Sequence, residues 1–445
     1  MAKTLRCPGS IGILLGIAAS AFFLAHGPAS GAPPEEMPAE GTGTGLRAGP
    51  MLGCLAPDGA AFWVRTDREA EVRVVVYAGE VSAAKSEPVR ATAARDYTAV
   101  ARVDGLQPDT PYTYDVLVDG QSAVGLKRPT FRTAPVRGAK WRFKVGFGGG
   151  ARFIPANERM WDTITSFKPT AFLFLGDNLY IDRPDRPDIQ REHYYQRQER
   201  PEFRRLVAST AIYAVWDDHD FGTNDCSGGL DPFNPPWKVE AWRVFCENWN
   251  NPYYGGGERQ PGCWHDFSIA GVDFFMTDGR YYRSFKDGTM LGPVQKRWLL
   301  EKLKASKATF KVLASGTLWT EQADKGGKDS WGGVPEEREE VLSLIDRERI
   351  GGVILLSADR HRSEIWRIPR PNGYDLYEFE SSKLTNEHTH PTRSEALFSY
   401  NKGNLFGLLE FDTTLADPAV TFRIVNIEGK TIHSMTLKRS QLEAK

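Results

Sequence analysis

The chain has no excess of charge: 56 Lys plus Arg stand against 57 Asp plus Glu over 445 residues. A balanced chain exerts no global pull on nucleic acid or on an anionic membrane. No nucleic-acid partner is therefore expected, and attraction for an anionic substrate must be local. Internal repeats and long low-complexity runs are missing too, which excludes solenoid and fibrous architectures. The N-terminal apolar stretch from Ile11 to Leu24 is short for a membrane span, which needs roughly 20 residues. With Lys3 and Arg6 before it and Ala29-Ser-Gly-Ala32 after it, it reads as an export signal over 1–32, a retained anchor being the alternative. A twin arginine is lacking, so general secretion is expected. Residues 33–45, rich in Pro, Glu, Gly and Ala, then form a disordered leader. The expectation is an exported protein, periplasmic or extracellular, with no stable membrane span after processing.

Cysteine is scarce: five residues, of which Cys7 precedes the apolar stretch and cannot be a lipoprotein cysteine. Cys54, Cys226, Cys246 and Cys263 remain after processing. Export permits disulfides, and Cys246 with Cys263 is the expected pair in a loop-rich insertion, with other pairings and buried free thiols as alternatives.

What is present suggests two domains. Residues 46–135 carry strand-like runs at Phe62–Arg65 and Val72–Tyr77, and Tyr112 to Val118 alternate after Leu106-Gln-Pro108-Asp-Thr110. This looks like a small all-β sandwich of fibronectin type III type, either a binding module or a rigid cover for the next domain. Residues 141–440 alternate between helical and strand patterns, as in α/β proteins. Helices are expected over 157–167, 190–198, 202–209, 293–304 and 335–346. One strand is expected over 267–277, and the strands after His361 are expected to complete a second sheet.

Three buried strands run into chemistry. Phe172-Leu-Phe-Leu175 leads through Gly176 to Asp177-Asn178-Leu-Tyr180. Ala211 to Trp216 leads to Asp217-Asp218-His219-Asp220-Phe-Gly-Thr-Asn224-Asp225. Gly352 to Leu356 leads to Ser357-Ala-Asp359-Arg360-His361-Arg362. So many carboxylates after buried strands are electrostatically costly unless a multivalent cation neutralises them. Three parallel strands with ligands at their carboxyl ends place the site where α/β folds gather theirs.

These motifs, with Asp278-Gly-Arg280 between them and Glu378-Phe-Glu380-Ser381-Ser382 after them, resemble the alkaline phosphatase D (PhoD-like) family of calcineurin-like metallophosphoesterases. The resemblance implies a two-sheet sandwich flanked by helices, built around a dinuclear metal centre that hydrolyses phosphate esters. Asp177 would bridge two metals and Tyr180 bind one. Asp218, Asp359 and His361 would be ligands, with Asn224 and Asp225 as further candidates. His219 would protonate the leaving group. Arg280 and Arg360 are the expected catalytic arginines, and Arg152 and Arg362 the expected substrate-binding ones, although each alone also suits a structural ion pair. The cofactors implied are two or more divalent or trivalent ions: calcium, iron, zinc or manganese.

One departure stands out. Many family members carry a Cys after the first catalytic strand, where this chain has Gly148-Gly149-Gly150. Without a thiolate the site should favour oxygen-loving cations over iron, and Glu158 is the nearby candidate for a substitute ligand. The glycines bring backbone amides near a phosphate, let the chain pass tightly under the metals, or form a plain loop. The alternatives to an exported phosphomonoesterase or phosphodiesterase are a catalytically weakened surface protein that binds a phosphate-bearing polymer, and a phospholipase-type phosphodiesterase.

Overall fold

The computed structural model describes residues 45–125, 127–322 and 329–443. The expected export signal, and the leader except Gly45, lie outside the described residues.

The N-terminal part is all β. Strands β1 (Leu46–Gly53), β2 (Gly59–Thr66) and β6 (Thr98–Asp104) form one sheet. Strands β3 (Ala70–Ala78), β4 (Val81–Lys85), β5 (Val89–Ala91), β7 (Pro111–Val118), β8 (Gln121–Ser122) and β9 (Thr130–Arg132) form the other. In β3 the valines Val72, Val74 and Val76 are fully buried while Arg73 and Val75 between them are partly exposed, the period-two burial of a strand with one face on a core. Polar anchors fix this layer to the rest of the chain: Tyr114 donates to the Ala208 carbonyl at 2.6 Å, and Asn250 Nδ2 donates to the Met51 and Ala61 carbonyls at 2.9 and 3.0 Å.

The larger part is a two-sheet α/β sandwich. Its strands are β10 (Arg142–Gly148), β11 (Ala171–Leu175), β12 (Ala211–Val215), β13 (His265–Ile269), β14 (Val272–Met276), β15 (Phe310–Ala314), β16 (Val353–Ser357), β17 (Ser363–Ile368), β18 (Leu376–Ser381), β19 (Phe398–Tyr400), β20 (Leu405–Asp412), β21 (Ala419–Asn426) and β22 (Thr431–Lys438). One sheet has the order β12-β11-β10-β20-β21-β22, the other β13-β14-β15-β16-β18-β17-β19. Helices α1 (Met160–Ser166), α2 (Pro187–Gln198), α3 (Pro201–Ser209), α4 (Asp218–Phe221), α5 (Trp237–Asn248), α6 (Gly292–Ala305) and α7 (Pro335–Arg347) connect them. Aromatic rings join the sheets face to face. Phe411 of the first lies 6.1 Å from Phe274 and 5.6 Å from Phe310 of the second, and Phe379 stacks on Phe422 at 4.4 Å. Burying each such ring contributes about 1.5–3 kcal/mol.

Several expectations change. The three motif strands do not share a sheet: β11 and β12 are parallel in the first, and β16 is in the second. The 267–277 run is a hairpin, because Ala270 at φ +51° and Gly271 reverse the chain between β13 and β14. Of the late strands, β17 to β19 extend the second sheet, whereas β20 to β22 complete the first, β20 lying antiparallel to β10. The helix expected from 157 starts at Met160, after a turn at Pro155–Asn157. The expected Cys246–Cys263 disulfide does not form, and the four cysteines among the described residues are free thiols. Burial pushes the Cys246 and Cys263 thiols up and keeps them protonated, while the insertion is tied by packing and by the Trp242 Nε1 hydrogen bond to the Gly262 carbonyl at 3.0 Å.

Candidate metal centre

The carboxyl ends of β10, β11, β12 and β16 meet along one edge of the sandwich. A parallel bridge between Gly149 and Ser382 joins the rims of the two sheets there. Space is so tight that glycine is required. At Gly176, φ +100°, a Cβ would sit 2.4 Å from the Asp217 Cβ, and at Gly149 it would sit 2.7 Å from the Ala358 Cβ and 2.8 Å from the Gly176 oxygen. Of the three readings of the triple glycine, close passage fits this crowding. Gly149 N donates to the Ser381 carbonyl at 3.2 Å, so that amide is already engaged.

Asp177 follows at φ +49°, 2% exposed, and its Oδ2 accepts from the Tyr180 hydroxyl at 2.8 Å. The Tyr180 oxygen also lies 2.8 Å from His361 Nε2, which is 3.8 Å from Asp177 Oδ2. From the β12 end, Asp217 and Asp218 are buried. Asp218 Oδ1 accepts the His219 amide at 3.0 Å, and Oδ2 accepts the Asp225 amide at 2.6 Å. Asp220 is a brace: its carboxylate accepts the Asp217, Asn178 and Leu179 amides at 3.1, 3.1 and 2.8 Å, fixing β11 and β12 exits together. His219 Nδ1 sits 2.7 Å from Asp182 Oδ1, its ring 4.3 Å from that of Tyr180.

Ligand atoms of Asp177, Asp218 and His219 lie within 4.8 Å of one another, as do those of Asp218, Asp225 and Asp329, and those of His361, His388 and His390. Sequence reasoning missed Asp329, His388 and His390. Asp329 follows no strand and had no signal, whereas the His-x-His spacing in Glu387-His388-Thr-His390 was there to be read. Asn224 is exposed on the turn after α4.

The arginines divide by burial. Arg280 is 0% exposed, bonded to Asp217, 2.6 Å from Asp329 and 3.7 Å from Asp218; it holds carboxylates in place. Asp278 orients it through the backbone, accepting the Arg280 amide at 2.9 Å and the Trp216 indole at 2.7 Å. Arg283 also pairs with Asp329, at 2.5 Å. Arg360 is buried with Nη1 3.8 Å from Asp359. Arg362 departs from the substrate-binding expectation: it is fully buried, and its guanidinium is paired with the equally buried Glu364 at 2.7 Å, out of a substrate's reach. Arg152 is exposed, 5.9 Å above the Tyr180 ring, open to a ligand. Glu158, the candidate substitute ligand, is bound instead to Arg197 at 3.0 Å and to the Trp161 indole at 2.8 Å.

Charge crowding shows in the acids. Burial, then Asp218, Asp217, Asp220 and Asp359, raises the Asp177 carboxyl well above its usual range, and burial, then Asp329, Asp217 and Asp218, does the same to Asp359. Burial lifts Asp217 to about 6, against the pull of Arg280. At Asp218 burial also pushes upward, but Arg280 outweighs it and the net shift is down. Burial, with His388, His390 and Lys383, lowers His361 to about 3 and keeps it neutral. At His219 burial pulls downward, yet Asp182 and Asp218 leave it raised. Among the described residues, the buried atoms Asp177 Oδ1, Asp217 Oδ2, Asp359 Oδ2 and His361 Nδ1 have no hydrogen-bond partner. Orphaned oxygens and a nitrogen at the meeting point of repelling acids are what a multivalent cation satisfies, so the residues present fit bound metal.

Comparison with known proteins agrees. Residues 146–405 match the PhoD-like phosphatases, and residues 43–136 match a domain of unknown function. Alkaline phosphatase D of Bacillus subtilis (strain 168) is 33% identical over 81 residues, 17% of this chain and 14% of that protein's length. A solved structure of PhoD superposes with a TM-score of 0.76 at 15% identity, covering 92% of this chain and 93% of that one. The purple acid phosphatase PPD1 of yellow lupin (Lupinus luteus) seeds superposes with a TM-score of 0.63 at 12% identity, covering 88% and 74%. At such identities these two likenesses speak to the fold alone.

Proposed function

Because this chain belongs to the PhoD-like phosphatase family, we propose that it is an exported metal-dependent hydrolase of phosphate monoesters or diesters. The observation that carries this reading is the set of buried carboxylate oxygens Asp177 Oδ1, Asp217 Oδ2 and Asp359 Oδ2 at the strand ends, without a hydrogen-bond partner among the described residues. Asp177, Tyr180, Asp218, Asp359 and His361 would hold the cations, with Asp225 and Asp329 at the Asp218 side. Bound divalent ions supply positive charge to phosphate oxygens and make water acidic enough to attack at neutral pH.

The chain's own groups do the rest. Asp182 accepts the Nδ1 proton of His219 and orients the ring, which leaves Nε2 as the atom that hands a proton to the departing alkoxide. Arg280 keeps Asp217 and Asp218 apart and in place, a positioning role that its full burial supports. Arg152 is exposed beside Tyr180 and suits a phosphate oxygen. Residues 46–135 act as a fibronectin type III-like cover, a reading supported by the Tyr114 and Asn250 anchors.

The test is Asp177→Asn, assayed for metal content and for hydrolysis of one aryl phosphomonoester and one bis-aryl phosphodiester. It should lose at least one metal equivalent and most turnover, and the wild-type rate ratio identifies the ester class. Intact metal content and turnover in the variant would place the site elsewhere.

A further inference from the structure

The loop after β18 brings two histidines against His361, and no role proposed above uses them. His361 commits Nε2 to the Tyr180 hydroxyl at 2.8 Å and keeps Nδ1 buried without a hydrogen-bond partner among the described residues. The ring centres of His388 and His390 lie 5.2 and 5.7 Å from that of His361 and 4.8 Å from each other. One nitrogen from each of the three fits within 4.8 Å of the others.

The loop is fastened at this place. Thr389, between the two histidines, donates to the His361 carbonyl at 3.0 Å and lies 3.2 Å from the Asn401 carbonyl. Asn401 Nδ2 donates to the His390 carbonyl at 2.9 Å, and Asn386 Oδ1 accepts the His388 amide at 3.1 Å. These bonds fix the backbone that carries His388 and His390 beside His361 before any ion arrives. Lys383 opposes a cation here, but its ammonium is turned to the Glu387 carbonyl at 2.7 Å.

We propose that His361, His388 and His390 form a three-imidazole site for zinc, distinct in chemistry from the acidic centre behind it. Neutral nitrogen ligands suit a borderline cation such as Zn²⁺, whereas calcium and magnesium take oxygen ligands and would stay with Asp177, Asp218 and Asp359. His388 is exposed and His361 buried, so the site opens to solvent on one side. Its two histidine nitrogens face different ways, and His361 thereby links the zinc to Tyr180.

The full chain is stripped with chelator and titrated with zinc alone, with X-ray absorption at the zinc edge as the readout. The wild type should bind one zinc with three nitrogen neighbours at about 2.0–2.1 Å. His388→Gln and His390→Gln should each weaken that binding by about 10–100-fold or more. Asp177→Asn should keep the nitrogen-rich zinc while losing cations of the acidic centre, which separates this site from the hydrolase reading. A thermal melt in chelator, unchanged in the exposed-loop variant His388→Gln, establishes that it folds. Equal zinc affinity in wild type and both glutamine variants, or a zinc edge with oxygen neighbours only, would overturn the proposal.

Discussion

Replacing Arg280 with Met isolates the charge holding the acidic centre together, since methionine keeps much of the stem and removes the guanidinium. Arg280 is the cation among Asp217, Asp218 and Asp329, and the four side chains are 0, 2, 3 and 1% exposed. None of these charges reaches water, so removing one partner strands the others, at a cost of about 3–5 kcal/mol rather than the 0–1 kcal/mol of a surface pair. Arg283 still holds Asp329 in the variant, so the loss falls on Asp217 and Asp218. Equilibrium urea unfolding of Arg280→Met in chelator should show that loss in full. With excess calcium it should shrink, because a cation bound to the freed carboxylates offsets part of their repulsion. A loss below about 1 kcal/mol in chelator would refute the buried-network reasoning, and a full loss unchanged by calcium would refute the view that these acids face a metal.

His219→Ala should slow turnover by about 10²–10⁴-fold with metal content kept and with a smaller loss on acidic leaving groups, read by comparing two aryl phosphates; equal losses on both would sink the proton-donor role. His265, fully buried, has its pKa lowered to about 4 by desolvation, and its Nδ1 meets the Cys263 carbonyl at 2.9 Å. Above pH 6.5 both folded and unfolded forms are neutral; as pH falls from 6.5 to 4 the unfolded chain takes up a proton the fold refuses. The His265 contribution should therefore fall by about 3 kcal/mol over that window, and His265→Gln, compared with the wild type in urea unfolding at pH 7 and pH 4, should remove that difference. Gly149→Ala should cost about 1–3 kcal/mol, measured by denaturant unfolding, since its Cβ meets Ala358 and the Gly176 oxygen. A cysteine at Gly149 meets the same obstruction, so a fully stable Gly149→Ala protein would show that the strand exits are looser than they stand here.

The strand-then-carboxylate motifs were legible because a run such as Phe172–Leu175 or Ala211–Trp216 is apolar on both faces, and a charged exit from it is conspicuous. Asp177, Tyr180, Asp218 and His361 were all marked by that contrast and lie together. Asp329 was not marked, since nothing local distinguishes an aspartate that follows a Gly-Gly-Lys run until Arg280 is seen beside it. His388 and His390 had spacing without context. The thiol pairing failed for a related reason, because distance along the chain says little about whether two sulfurs face each other.

By itself, the sequence determined which segments are buried strands, where their acidic exits lie, and that those exits resemble one phosphatase family, because apolar runs and Gly-Asp turns are local properties. Only the tertiary structure decided that β16 belongs to the second sheet, that β20 to β22 return to the first, and that Arg362 faces inward while Arg152 faces out. Those outcomes depend on which strands pair across hundreds of residues and on which charges find a partner once water is excluded, and no window of local sequence carries that information.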